Sequence, residues 1–137
     1  MTTLLTNLDQ LKSASLLQLG SDNHPCTVVF GASKFDEGKP YRAIKITCPE
    51  IDIFRAYDAD VDQHPFVKEY KDQSFITIKI GADTEMPCSL PELNRDTSIV
   101  VIVRAVPWAM TGNSGISLRC EMLKVVTKQK EPLKFLD

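Results

Sequence analysis

The stretch from Thr97 to Lys128, TSIVVIVRAVPWAMTGNSGISLRCEMLKVVTK, constrains the fold more than any other part of this chain. Ile and Val crowd the segment 99–106, a second apolar run from Ile116 to Val126 follows, and β-branched, apolar runs of that length favour extended backbone over helix. Between them Thr111, Gly112, Asn113, Ser114 and Gly115 are turn formers, so the segment predicts two long antiparallel strands with a wide, polar tip. Arg104, Arg119 and Lys124 interrupt the apolar runs, and Trp108, the only tryptophan, stands where the first strand meets the tip. Strands that carry cations and a large aromatic predict a binding face as well as a structural one.

With 137 residues the chain is expected to form one domain, long enough to bury a core without a metal or disulfide staple. The net charge of −2 argues against a surface coated in cations, while leaving room for a local basic groove. Apolar runs are too short to cross a bilayer, and the first residues lack a basic, apolar secretory signal. The expected location is therefore the cytoplasm or nucleus, that of a virus-infected host included, with no membrane partner. Cys26, Cys48, Cys88 and Cys120 form no CxxC pair, so they are expected as reduced, mostly buried thiols; with only His24 and His64 to help, no metal site is expected.

Along the chain, Leu4, Leu5, Leu8, Leu11, Leu16, Leu17 and Leu19 recur at mostly helical spacings behind Thr2, Thr3 and Thr6, which predicts a helical or flexible N-terminal segment over residues 1–20. Gly20 to Pro25 reads as a stop. Strands are expected at 26–30, 41–48, 75–80, 97–107 and 115–127. Alternation points Ile44 and Ile46 inward and Lys45 outward, and sets Ile76, Ile78 and Ile80 on one side of the third strand with Phe75, Thr77 and Lys79 on the other, a mixed face. Between the second and third strands, residues 50–72 carry Ile51, Phe54 and Tyr57 at helical spacing and predict a short helix and a loop. Thr84 to Asp96, with Pro87 and Pro91, reads as an irregular connector, and 129–137 as a C-terminal tail.

Five strands in a chain of this size predict a small, strongly curved sheet, mainly β, whose closure would remove exposed edges. The five-stranded OB-like barrel fits best, with an SH3-like barrel as its structural rival. The strand that ends in Trp108, the loop, and then Gly115, Ile116, Ser117 and Leu118 leading into the last strand resemble the end of the OB-type single-stranded-DNA-binding proteins of phages and viruses. That resemblance spans about thirty residues. It implies single-stranded DNA as the partner, with RNA also admissible, and a role in DNA replication or recombination; a homo-oligomer is admitted as an assembly state, and no cofactor is expected. The chain departs from the family at its end: Lys134, Phe135, Leu136 and Asp137 replace the acidic tail many such proteins use for recruitment.

Holding a single strand takes cations for phosphates and flat side chains for bases. Lys34, Tyr41, Arg42, Lys45, Phe75, Lys79, Arg104, Trp108, Arg119 and Lys124 supply both and are the candidate nucleic-acid-binding residues. Each also has a plainer reading. Phe75 fits the core, Trp108 serves equally as a core lid, and Glu121 offers one arginine a carboxylate partner. Lys68 and Lys71 around Tyr70 extend a basic rim or form a solvated helix face.

No catalytic residues are expected. His24 and His64 lack a nucleophile or carboxylate in their sequence context, and no GxGxxG, GxxxxGK[ST], GxSxG or HExxH pattern occurs. Asp58, Asp60, Asp62 and Glu69 follow a calcium loop by residue type, but Gln63 stands where that loop needs glycine and Pro65 interrupts it. A β-barrel protein–protein or virion assembly module is the competing expectation, favoured by the acidic pI and the leucine-rich N-terminus.

Overall fold

The two apolar runs of the 97–128 stretch pair along their whole length. In the computed structural model of the chain, which describes residues 2–12, 16–31, 41–81 and 95–126, they form the two longest strands of a mainly β molecule. In chain order the strands are β1 (Thr2–Leu4), β2 (Leu16–Leu19), β3 (Cys26–Phe30), β4 (Tyr41–Thr47), β5 (Lys68–Tyr70), β6 (Gln73–Gly81), β7 (Ser98–Met110) and β8 (Asn113–Val125). One α-helix, α1 (Ile51–Asp60), lies between β4 and β5. Lys34, the connector from 84 to 94 and the tail at 129–137 fall outside the described residues.

The leucines of the N-terminus do not build an α-helix. Leu8–Lys12 makes a short 3-10 helix, β1 and β2 pair in parallel, and β2 lies antiparallel to β7 with Leu16 opposite Arg104 and Leu19 opposite Val101. The helical spacing was real, but an edge of β7 offers residues 16–19 a full set of backbone partners. Leu17 and Leu19 then bury with a period of two, a tertiary pairing that overrides local preference.

Around the molecule β3 pairs with β4, β4 with β6, β6 with β8, β8 with β7, and β7 again with β3. All are antiparallel except β6 with β8, which meet in parallel at one position, Lys79 opposite Arg119. The sheet is therefore mixed and turns back on itself, joined on that side by one rung rather than a ladder. The isoleucines at 44, 46, 76, 78 and 80 face inward as alternation predicts, and meet Ile99, Val101, Val103, Leu118 and Leu123 in one core.

Helix α1 closes part of that core. Phe54 and Tyr57, three residues apart on one face, are buried and meet Phe66 edge-on at 5.0 and 5.3 Å between ring centres. The Asp58 carboxylate accepts hydrogen bonds from the backbone N–H groups of Phe66 (2.8 Å) and Val67 (2.9 Å), folding the following loop back over the helix. A carboxylate spent on backbone donors organises a loop, which is what Asp58 does here. The lysines around Tyr70 lie on or beside a strand, not on a helix: β5 and β6 form a hairpin whose two turn residues, Lys71 (φ 48°) and Asp72 (φ 67°), take the left-handed backbone that matches strand twist.

The β7–β8 hairpin is tighter than its turn-forming residues suggest. Met110 pairs with Asn113, leaving Thr111 and Gly112 as the turn, with Gly112 at φ 81°. Farther along, Ile102 faces Met122 while Val103 faces Cys120, so Glu121 is an extra residue on β8, a β-bulge.

Candidate nucleic-acid interface

The bulge decides which side chains share a face. From Gly115 to Arg119 the outward positions of β8 are odd-numbered, with Leu118 and Cys120 buried; beyond Glu121 they are even-numbered, with Leu123 buried. Arg119 and Lys124 therefore point outward together, as do Arg104 and Trp108 on β7, where Ile99, Val101, Val103 and Ala105 face the core. Strand alternation alone would have put Arg119 and Lys124 on opposite faces.

Across the sheet, Lys79 of β6 stands opposite Arg119, and Arg119 opposite Arg104, so three cations occupy one rung over three neighbouring strands. Strand spacing of about 4.8 Å sets these backbones close together. Lys45 lies on the same outward face of β4, opposite Thr77. Arg104 is partly neutralised: its Nε lies 3.1 Å from Glu121 Oε2. Arg119 forms no ion pair with a described residue. Lys79 Nζ donates to Ser117 Oγ at 3.4 Å.

Beside this rung is a groove of about 250 Å³, walled by Trp108, His64, Lys68, Thr77, Lys79 and Ser117. Among the described residues that line it there is no carboxylate. Trp108 lies directly across from Gly115, and a Cβ at position 115 would come within 2.8 Å of the indole, so the ring is laid over the glycine backbone. The tryptophan is half-buried and stays outside the core cluster. The ring of His64 sits 6.0 Å from the indole, tilted by 57°, and its backbone N–H donates to Ser114 O at 2.9 Å, which holds the loop after α1 against β8.

The other expected residues are placed as follows. Phe75 is on the outward side of β6 but only 5% exposed, packed edge-on against Phe30 at 5.7 Å. Its plainer reading, packing, is the one its surroundings fit. Arg42 has the parity of Ile44 and Ile46 and stands apart from the Lys45 row. Tyr41 opens β4 opposite Gly81. Lys124 is paired with Asp22 at 2.8 Å and sits opposite Val100, eight positions from Trp108 along β7 or about 26 Å at strand rise. It shares the face but not the groove.

Lys68, read from the sequence as part of a basic rim or of a solvated helix face, lines the groove, and so do His64 and Ser117, which were not among the candidate residues. Nothing local marks them. They arrive because Asp58 folds the post-helix loop and the β5–β6 hairpin sets Lys68 opposite Phe75. Compared with known proteins, the chain matches no family model, and no curated protein or solved structure matches it.

Proposed function

We propose that this chain binds single-stranded nucleic acid, DNA in replication or recombination, without catalysis, on the outward face of β4, β6, β8 and β7. The observation that carries the reading is the single face shared by Lys45, Lys79, Arg104, Arg119 and Trp108, set by the registers of β4 on β6, β6 on β8 and β8 on β7. The pairing of β3, β4, β6, β8 and β7 supports an OB-like barrel. Counting those five strands in chain order, β4 and β6 are the second and third and the Thr111–Gly112 turn joins the fourth and fifth, the regions with which OB folds bind oligonucleotides.

In this reading Lys79 and Arg119 take phosphates, with Lys45 and Lys68 extending the path, and a base stacks on Trp108. Phosphate contacts release counterions and stacking accepts any base, so binding is salt-sensitive and largely indifferent to sequence. Titration of the full chain with oligo(dT), followed by Trp108 fluorescence at low and high salt, tests it. Saturable quenching that weakens with salt is expected, and no binding at low salt overturns it.

A second reading, a β-barrel assembly module, is favoured by one observation: Met122 (62% exposed) borders a groove of about 370 Å³ with Val100 and Ile102 on the far end of the hairpin. Light scattering separates the two. A stable oligomer that ignores oligonucleotides supports assembly, whereas a species that binds them supports the first reading.

A further inference from the structure

Cys26 and Cys48 lie too far apart in sequence to suggest a shared role, but the β3–β4 ladder joins them. Thr27 pairs with Thr47, and one more step along each chain brings Cys26 opposite Cys48. Glu50, the N-cap residue of α1, adds a carboxylate to the same place, and one ligand atom from each of the three lies within 4.8 Å of the others. Both thiols are buried and Glu50 is half-buried. Glu50 does not cap its own helix; both its oxygens instead accept the Gly20 N–H, at 3.2 and 3.1 Å, which fixes the carboxylate's orientation. Gly20, at φ 80°, also leaves the flank of the sulfur clear, because a Cβ there would come within 2.9 Å of Cys26 Sγ.

We propose that Cys26, Cys48 and Glu50 form a binding site for a thiophilic divalent cation of the zinc class, with two thiolates and one carboxylate oxygen as ligands and a fourth position for water. Two sulfurs and one oxygen are a donor set that selects zinc over magnesium or calcium. Metal–sulfur bonds of about 2.3 Å in tetrahedral geometry need sulfurs about 3.8 Å apart, and the ligand atoms of the cluster already lie within 4.8 Å of one another. The Gly20 N–H is the outer-shell donor such a carboxylate ligand needs.

The charge balance also fits. Two thiolates and one carboxylate around one divalent cation leave the bound complex at a charge of −1, and ligation through thiolates is accompanied by proton release. Nothing in this depends on nucleic-acid binding.

The test is titration of metal-free, full-length protein with cobalt(II) and with cadmium(II). Expected are thiolate-to-metal charge-transfer absorption saturating at one ion per chain, two protons released per ion, and a higher melting temperature with zinc. A variant carrying Cys88→Ser and Cys120→Ala, in which Cys26 and Cys48 are the remaining thiols, is expected to keep all three signals. Cys26→Ser and Cys48→Ser should each abolish the charge-transfer band, and Glu50→Gln should weaken binding by about tenfold or more. The proposal is overturned if the full chain shows no such band or no proton release. It is equally overturned if the band vanishes in the Cys88→Ser, Cys120→Ala variant, an outcome that does not require either serine variant to fold.

Discussion

Arg104 and Arg119 stand directly opposite each other on β7 and β8, and the bulge residue Glu121 lies 3.1 Å from the Nε of Arg104. Two like charges so placed repel, at a cost of about 0.2 to 1 kcal/mol, and one carboxylate relieves only part of it. A cation kept at a destabilising position is suited to meeting an anion from outside. Arg119→Ala should therefore weaken oligonucleotide binding about five- to tenfold and lower the slope of log affinity against log salt by about 0.7, while leaving thermal stability unchanged or raised. Affinity equal to that of the parent chain removes Arg119 from the site.

Gly115 gives the second prediction, because it lets the Trp108 indole lie flat on the strand. Gly115→Ala puts a methyl group within 2.8 Å of Cζ2, and the larger, half-buried indole has to move. Its emission should shift and oligonucleotide affinity should fall about tenfold, within the range of one lost base stack. Trp108→Phe should keep more of the affinity than Trp108→Ala. If both Trp108 variants bind like the parent, the indole is no stacking platform.

Phe75 separates packing from binding. Its ring is 5% exposed against Phe30, so Phe75→Ala should lower unfolding free energy by about 3 kcal/mol in urea melts, whereas Phe75→Leu fills most of the space. Folded Phe75→Leu should bind oligonucleotides as the parent does. A folded leucine variant that loses binding would show the ring meeting bases directly.

Much of this architecture was legible because alternation is local physics. The inward isoleucines of β4 and β6, the outward Lys45, Thr77 and Lys79, the helix carrying Phe54 and Tyr57, and the long hairpin all follow from residue order. What was not legible depends on which strands meet. Leu16 to Leu19 carry a helical spacing and an alternating one at once, and the edge of β7 chooses between them. The shared face of Arg119 and Lys124 needs an inserted residue, and no feature of the sequence around Glu121 announces the bulge. Glu121 as a partner for one arginine was readable, since both belong to the same hairpin. Cys26 and Cys48 are neighbours only through the β3–β4 register, so cysteine spacing was blind to them. His64 reaches Trp108 only because Asp58 folds a loop whose composition looks like that of any acidic surface segment.

Cys120 gives a prediction about pH. It sits 4% exposed beneath the bulge, and its pKa is pushed up to about 11, first by burial, then by the nearby Glu121 charge, against a backbone hydrogen bond from Met122 that pulls it down. Because the folded chain holds this proton more tightly than the unfolded chain, the associated stability is fully present below the ordinary thiol range. It declines as pH rises from that range through about 11. Cys120→Ala removes the ionisable thiol, so the difference in unfolding free energy between parent and variant, measured by urea melts across that alkaline window, should shrink as pH rises. Melts whose difference stays constant over the window would show that Cys120 ionises as freely in the folded chain as in the unfolded one.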